Sequence, residues 1–193
     1  PPDPPTPKAL VILCVGRLGR HKGQRWLLET YAQARPRFAR PTRLVFVGKD
    51  EGDGAALAAD VARLRLAGEV HVAGELTDTD LHEQYVQADI FALFSHFEAF
   101  GLVFFEALAA GATVLTHRLG AGPSLLTAGA LLTAPFARDE AATALVWLVN
   151  DDALRARLGA EGRTLVEREY SWDRCARGNL DAYQEGLAIV RGV

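Results

Sequence analysis

A stretch near the middle of the chain constrains the fold more than any other. It opens with the uninterrupted apolar run 90–94, turns through the polar corner 95–98, and continues in the helical pattern 102–110. A second short apolar run, 112–115, follows almost at once. An apolar run without polar alternation is typical of a strand covered by helices on both faces. The stretch therefore predicts a β-strand, an α-helix and a second strand parallel to the first.

The same alternation extends over the rest of the chain. Further apolar runs predict strands at residues 8–15, 43–47, 70–73 and 130–133. Apolar residues at helical spacing predict helices at residues 26–34, 55–66, 77–88, 139–149, 152–170 and 174–190. Residues 120–124 are predicted as a loop. The alternation favours the α/β class, as a Rossmann-like parallel sheet with helices on both faces.

Length and the amino-terminal composition indicate how the chain is divided. A chain of 193 residues is long enough for one α/β domain and short for two. Residues 1–8 are rich in proline, which predicts an extended linker or tail, and we expect the chain to begin between two domains. Residues 9–193 are predicted to form a single Rossmann-like domain.

Charge, apolar run length and cysteine content limit the partners and the cellular location that we expect. The formal net charge of −3 gives no general basic excess for binding nucleic acid or an anionic membrane. No apolar run approaches the roughly 18 residues of a spanning helix. Cys14 falls in a predicted buried strand and Cys175 near the start of the last helix, which favours free thiols in a reducing compartment. We therefore expect a cytoplasmic protein.

The polar corner carries the first indication of chemistry. In a parallel sheet it lies at the carboxyl end of a strand, where ligands bind. The helix that follows begins with free N–H groups and a positive dipole end, which suit a phosphate. Glu98 and Glu106, eight residues apart, flank this position. A carboxylate beside a phosphate site suggests hydrogen bonds from hydroxyl groups, such as those of a sugar.

The string from Glu98 to Gly111 resembles a known signature. Glu98 is followed by Phe100 and Gly101, and Glu106 opens the run Glu-Ala-Leu-Ala-Ala-Gly. This pattern is similar to that of the retaining GT-B glycosyltransferases, and more narrowly to the C-terminal donor-binding domain of family 4. The resemblance covers about residues 9–190 and implies the C-terminal half of a GT-B fold.

The resemblance assigns roles within this stretch. It implies that the N–H groups of Phe100, Gly101 and Leu102 bind the distal phosphate of a nucleoside diphosphate sugar. Glu106 would accept hydrogen bonds from the ribose hydroxyls. Glu98 would lie near the transferred sugar as a catalytic residue, either as nucleophile or as positioning group.

A basic turn after the first strand supplies two cations. Arg17 and Lys22 lie on a glycine-flanked loop, and from the residues alone they could neutralise a diphosphate or belong to a solvated surface loop. The resemblance favours the first interpretation, with Gly16, Arg17 and Lys22 in the donor site. The two cations would stabilise the charge that develops on the departing diphosphate, which makes them catalytic as well. Arg20 and His21 are expected to face solvent.

The remaining candidate residues are expected to contact the nucleobase or to have structural roles. The resemblance places Gly74, Glu75 and Leu76, after the third strand, near the nucleobase. Asp89 is expected to have a structural role in capping or turn formation. The remaining histidines show no zinc-ligand spacing, and each is expected to be exposed or to have its hydrogen bonds satisfied: His71, His82, His96 and His117.

The chain also departs from the pattern of the family. Phe94 stands where the family commonly has proline. Residues 120–124 read Gly-Ala-Gly-Pro-Ser, whereas the family usually has Gly-Gly-x-Pro-Glu, so Ser124 replaces a carboxylate near the sugar. Ser171 and Trp172, ahead of the last helix, match the family.

These features predict the donor-binding domain of a retaining glycosyltransferase that uses a nucleoside diphosphate sugar and needs no metal and no other cofactor. Its acceptor site would belong to an N-terminal domain outside this chain, through which peripheral membrane contact is possible, and the isolated chain should transfer little sugar. One alternative is a non-catalytic nucleotide-sugar-binding or scaffold module of the same fold. A dinucleotide-dependent oxidoreductase is disfavoured, because residues 16–19 lack the Gly-x-Gly-x-x-Gly spacing.

Overall fold

The computed structural model describes residues 9–191, so the proline-rich segment 1–8 lies outside the described residues. Six parallel strands form one sheet in the order β3-β2-β1-β4-β5-β6. Its strands are β1 (Leu10–Val15), β2 (Thr42–Val47), β3 (Val70–Gly74), β4 (Ile90–Leu93), β5 (Thr113–His117) and β6 (Ala130–Thr133). The predicted α/β class and the Rossmann-like parallel sheet are confirmed.

Eight α-helices accompany the sheet in the part of the chain that the structure describes. They are α1 (Gln24–Ala34), α2 (Gly54–Arg63), α3 (Asp78–Gln87), α4 (Leu102–Ala109), α5 (Gly122–Leu125), α6 (Arg138–Asn150), α7 (Asp152–Glu169) and α8 (Trp172–Arg191). Helix α1 packs on α2 and α6, whereas α4 packs on α3 and α7. The two groups cover opposite faces of the sheet, as its uninterrupted apolar strands require.

The centre of the sheet determines where a ligand can bind. Strands β1 and β4 are neighbours in space, and Ile12 pairs with Ile90 with neither side chain accessible to solvent. From β1 the chain crosses to β2 on one side, and from β4 it crosses to β5 on the other side. Crossovers that diverge in this way leave a crevice at the carboxyl ends of the two strands. The crevice lies between the basic turn after β1 and the polar corner after β4.

The predicted loop at residues 120–124 differs in the structure. Its second half forms the short helix α5, with Pro123 at the start, where a missing N–H and a fixed φ are favourable. The hydroxyl of Ser124 donates to the carbonyl oxygen of Ala121 at 3.0 Å. The prediction of loop throughout was therefore wrong for this half.

The last helix stands apart from the rest. Every residue of α8 from Trp172 to Leu187 is exposed, including the large apolar side chains Leu180 and Tyr183. Within residues 9–191, no helix combines the length and apolar character that crossing a membrane demands.

Candidate active site

The basic turn and the polar corner are joined through their backbones. The N–H of His96 donates to the carbonyl oxygen of His21 at 2.8 Å, and the hydroxyl of Ser95 donates to the same oxygen at 3.1 Å. Gly23 has a φ of +72°, and a Cβ at this position would overlap the carbonyl oxygen of Phe94. The two loops can approach this closely only because residue 23 has no side chain.

Lys22 and Glu98 meet across this junction. The Nζ atom of Lys22 lies 2.7 Å from Oε2 of Glu98, and the two side chains are 16% and 23% exposed. The Coulomb attraction between charges shielded to this degree from water is stronger than at the open surface. The structure therefore brings together two of the predicted catalytic residues, which stand 76 positions apart in the chain.

Arg17 pairs with a different carboxylate from the one that Lys22 contacts. One guanidinium nitrogen lies 2.7 Å from Oε1 of Glu51, and the Arg17 side chain is 59% exposed. The two predicted phosphate-binding cations therefore do not converge on one carboxylate. Arg20 and His21 are exposed, as predicted.

Gln24 was not predicted as part of the site. Its side chain is 2% exposed, and its Nε2 donates to the carbonyl oxygens of Gly16 at 3.2 Å and Arg17 at 2.9 Å. These bonds fix the start of the basic turn against the first residue of α1. The only sequence signal was a polar residue directly after the turn, which does not identify its partners.

The N-terminus of α4 opens beside this ion pair. Gly101 precedes it with a φ of +74°, and among the described residues no side chain caps this end. The first N–H groups of a helix have no acceptor within the helix. Leu102 is 63% exposed and Phe100 is 45% exposed, with the Phe100 ring 5.2 Å from that of Phe105. The predicted phosphate position is therefore open and next to Glu98.

The loop after β5 packs against the polar corner. Gly120 has a φ of +58°, and a Cβ there would lie 2.6 Å from the carbonyl oxygen of Glu98. Asp89, at the other end of β4, accepts a hydrogen bond from the N–H of Val11 at 2.8 Å. Its role is structural, as predicted, but it links β4 to β1 and this contact is neither a cap nor a turn.

Glu106 lies farther along α4 and has a partner that was not predicted. The phenol of Tyr85, on α3, donates to Oε2 of Glu106 at 2.6 Å. Glu106 is exposed, whereas Tyr85 is 5% exposed. Nothing in the spacing of residues 85 and 106 signals this pair, because it depends on how α3 packs on α4.

The predicted nucleobase residues follow β3, at the edge of the sheet. Gly74 has a φ of +73° and its carbonyl oxygen accepts from the N–H of Gly48 at 2.8 Å. Glu75 is exposed, and Leu76 is half-buried and packs against the core. Their role in binding a base stays a prediction.

His117 does not fit the expectation for the histidines. It is 2% exposed at the end of β5, and its Nε2 has no hydrogen-bond partner among the described residues. The rings of Trp26, Phe94 and Phe136 surround it, with centroids 4.7 to 5.2 Å away. The expectation that it would be exposed or satisfied was wrong, since β5 extends two residues beyond the predicted run and carries it into an aromatic cluster.

This burial makes stability depend on pH. Burial, aided by the nearby His96, lowers the pKa of His117 from 6.5 to about 4. Between these values the unfolded chain binds a proton at this position that the folded chain does not, so stability falls as the pH falls from 6.5 to 4. We expect His117→Asn to remove on the order of 2 kcal/mol of that loss. Urea unfolding at several pH values measures it.

His71→Gln, which replaces an exposed histidine on β3, is the control for the pH dependence. It should leave the loss between pH 6.5 and 4 unchanged. Equal pH profiles for wild type and His117→Asn would contradict the assignment.

Comparison with known proteins identifies the family. Residues 3–165 match the family model described as Glycosyl transferases group 1. D-inositol 3-phosphate glycosyltransferase of Corynebacterium kroppenstedtii is 34% identical over 187 residues, which cover 93% of this chain and 41% of that protein. The GDP-mannose-dependent monoacylated alpha-(1-6)-phosphatidylinositol monomannoside mannosyltransferase of Corynebacterium glutamicum is 32% identical over 84% of this chain and 44% of that protein.

A solved structure gives the same result. Sucrose-phosphate synthase from Thermosynechococcus elongatus superposes with a TM-score of 0.82 and 27% identity, over 94% of this chain and 46% of that one. The chain thus spans less than half the length of each of these three relatives. It belongs to the group 1 glycosyl transferases, and it corresponds to the C-terminal half of their GT-B fold.

Proposed function

We propose that this chain is the donor-binding domain of a retaining glycosyltransferase that transfers a sugar from a nucleoside diphosphate sugar. The observation that carries the proposal is the Lys22–Glu98 ion pair, at 2.7 Å, beside the uncapped N-terminus of α4. A cation and a helix N-terminus suit a diphosphate, and a carboxylate suits sugar hydroxyls or the reacting carbon. The crevice between β1 and β4 offers all three together.

Each group has a part in the proposed reaction. The α4 N–H groups and Lys22 bind the diphosphate, and Arg17 joins them by leaving Glu51 for the more highly charged phosphates. Together they stabilise the negative charge that builds up as the bond between sugar and diphosphate breaks. Glu98 acts near the transferred sugar, as nucleophile or as positioning group. Because the protein supplies the positive charge, we propose that transfer needs no metal ion and no other cofactor.

The partners of the reaction are part of the proposal. One relative is named as GDP-mannose-dependent, so GDP is the first nucleotide to test. Since the chain spans less than half of its relatives, we propose that a separate N-terminal domain holds the acceptor and that this chain alone transfers little sugar. Two free cysteines, Cys14 and Cys175, support a reducing, cytoplasmic location.

One observation favours a second candidate, a non-catalytic module that binds nucleotide sugars. Ser124 stands where the family usually has a carboxylate, and its hydroxyl donates to the carbonyl oxygen of Ala121, directly before α5, so it does not supply the missing negative charge. A module of this kind would bind nucleotide without needing Glu98 for any reaction.

Calorimetric titration of this chain with UDP, GDP, ADP and NAD, each with and without Mg²⁺, tests the proposal. We expect one nucleoside diphosphate to bind without the metal. Lys22→Ala should weaken that binding about ten- to hundredfold, because a charge-assisted hydrogen bond to phosphate is lost.

The matched control is Arg43→Ala, which removes the same charge from an exposed residue of β2 at the other end of the sheet. It should leave binding unchanged. Binding of NAD alone, or an equal loss in both variants, would contradict the proposed function.

A further inference from the structure

The bond between Tyr85 and Glu106 joins α3 to α4, the helix whose N-terminus follows the polar corner. Tyr85 lies in α3 and Glu106 in α4, and the phenol oxygen is 2.6 Å from Oε2 of the carboxylate. No hydrogen bond within residues 9–191 reaches the other oxygen, Oε1. The carboxylate therefore has one oxygen engaged and one available to a ligand.

Tyr85 is the fixed member of the pair. Its side chain is buried, and its ring stacks on Phe91 of the central strand with centroids 6.1 Å apart and planes 27° from parallel. Burial and the neighbouring Glu106 both raise the pKa of Tyr85. The phenol therefore keeps its proton and remains a donor at any physiological pH.

Glu106, by contrast, faces open space. With Leu81 and His82 of α3 it lines a cleft between the two helices. An exposed glutamate on a helix samples several rotamers, and ordering it on ligand binding has an entropic penalty. A hydrogen bond from a rigid neighbour reduces that penalty before the ligand arrives.

We propose that Tyr85 is a positioning residue for nucleotide binding: it holds Oε2 of Glu106 so that Oε1 meets a hydroxyl of the ribose. The inference rests on the proposed function, since it assumes that a nucleoside diphosphate occupies the crevice. Tyr85 itself does not touch the ligand. Its effect passes through Glu106 and is confined to ligands that carry the ribose hydroxyls.

Titration of wild type and Tyr85→Phe tests this inference, with GDP and UDP each compared with the 2′,3′-dideoxy form. Whichever ribonucleotide binds wild type should bind Tyr85→Phe about three- to tenfold more weakly, because Glu106 is no longer held. The dideoxy form should bind both proteins equally. In a Glu106→Ala background, Tyr85→Phe should add little, since the side chain that it orients is gone.

The matched control is Tyr31→Phe. Tyr31 is also buried and its phenol also donates to a glutamate, Glu69, at 3.1 Å, but at the amino end of the sheet. It should change the free energy of unfolding and not nucleotide affinity.

Three results would overturn the inference. Equal weakening of ribose and dideoxy forms would show a general packing effect, and no weakening of either would show that Tyr85 does not act through Glu106. Failure of wild type to bind any nucleoside diphosphate would instead overturn the proposed function, and this inference with it.

Discussion

Gly23→Ala is expected to lower the free energy of unfolding by about 3 kcal/mol or more. Two effects combine at this residue. Its φ of +72° is unfavourable for any side chain, and the new Cβ would overlap the carbonyl oxygen of Phe94. That oxygen belongs to the backbone at the end of β4 and cannot move without shifting the polar corner. Lys22 and Glu98 should then separate as well. Urea unfolding followed by circular dichroism measures the loss.

Gly74→Ala separates the two effects. Gly74 has nearly the same φ, +73°, but a Cβ there meets nothing within 4 Å. It should lose only about 1 kcal/mol, the conformational part alone. Equal losses in the two variants would show that the contact between Gly23 and Phe94 is not tight in solution.

Glu98→Gln is expected to change binding and catalysis in opposite directions. In the structure the carboxylate neutralises Lys22 at 2.7 Å, and a diphosphate must compete with it for that cation. Glutamine has nearly the same shape without the charge, so the nucleoside diphosphate should bind about three- to tenfold more tightly. Sugar transfer should nevertheless fall by about a hundredfold or more, because the carboxylate that we propose to act at the sugar is lost.

Binding is measured by calorimetry on this chain, and transfer by release of nucleoside diphosphate once the chain is joined to an acceptor domain. Glu167→Gln, which makes the same change of charge on the exposed surface of α7, should alter neither quantity. Weaker nucleotide binding by Glu98→Gln would contradict the competition. An unchanged rate of transfer would exclude a catalytic role for Glu98, and absence of transfer in the wild-type protein would favour the non-catalytic module.

Most of the fold could be predicted because the sequence patterns that specify its strands and helices are local. Strands β1, β4 and β6 were predicted within about two residues, since an apolar run is a property of a few neighbouring residues. The exceptions have two causes. The end of β5, where His117 pairs with Thr133 of β6, depends on a distant segment that the surrounding sequence does not reveal. Helix α5 is a single turn of four residues, too short for an apolar periodicity to indicate it.

The candidate site likewise has features that the local sequence predicts and features that it does not. A strand followed by a turn predicts the edge of the sheet at which a residue lies, and Lys22 and Glu98 were expected at one edge on that ground. Which partner a side chain chooses is a tertiary property. Arg17 therefore turned out to pair with Glu51, and Tyr85 to hold Glu106, although no spacing in the sequence indicated either contact.

Helix α8 has a consequence for how the chain melts. The side chains of residues 172–187 are all exposed, so this part of α8 receives little support from the sheet. It depends on its own backbone hydrogen bonds and side-chain pairs, which stabilise an isolated helix only marginally in water. The sheet, with the fully buried Ile12, Phe91 and Leu115, unfolds as one cooperative unit. Heating would therefore unwind α8 well before the sheet. A single midpoint temperature of unfolding would describe neither part of the chain.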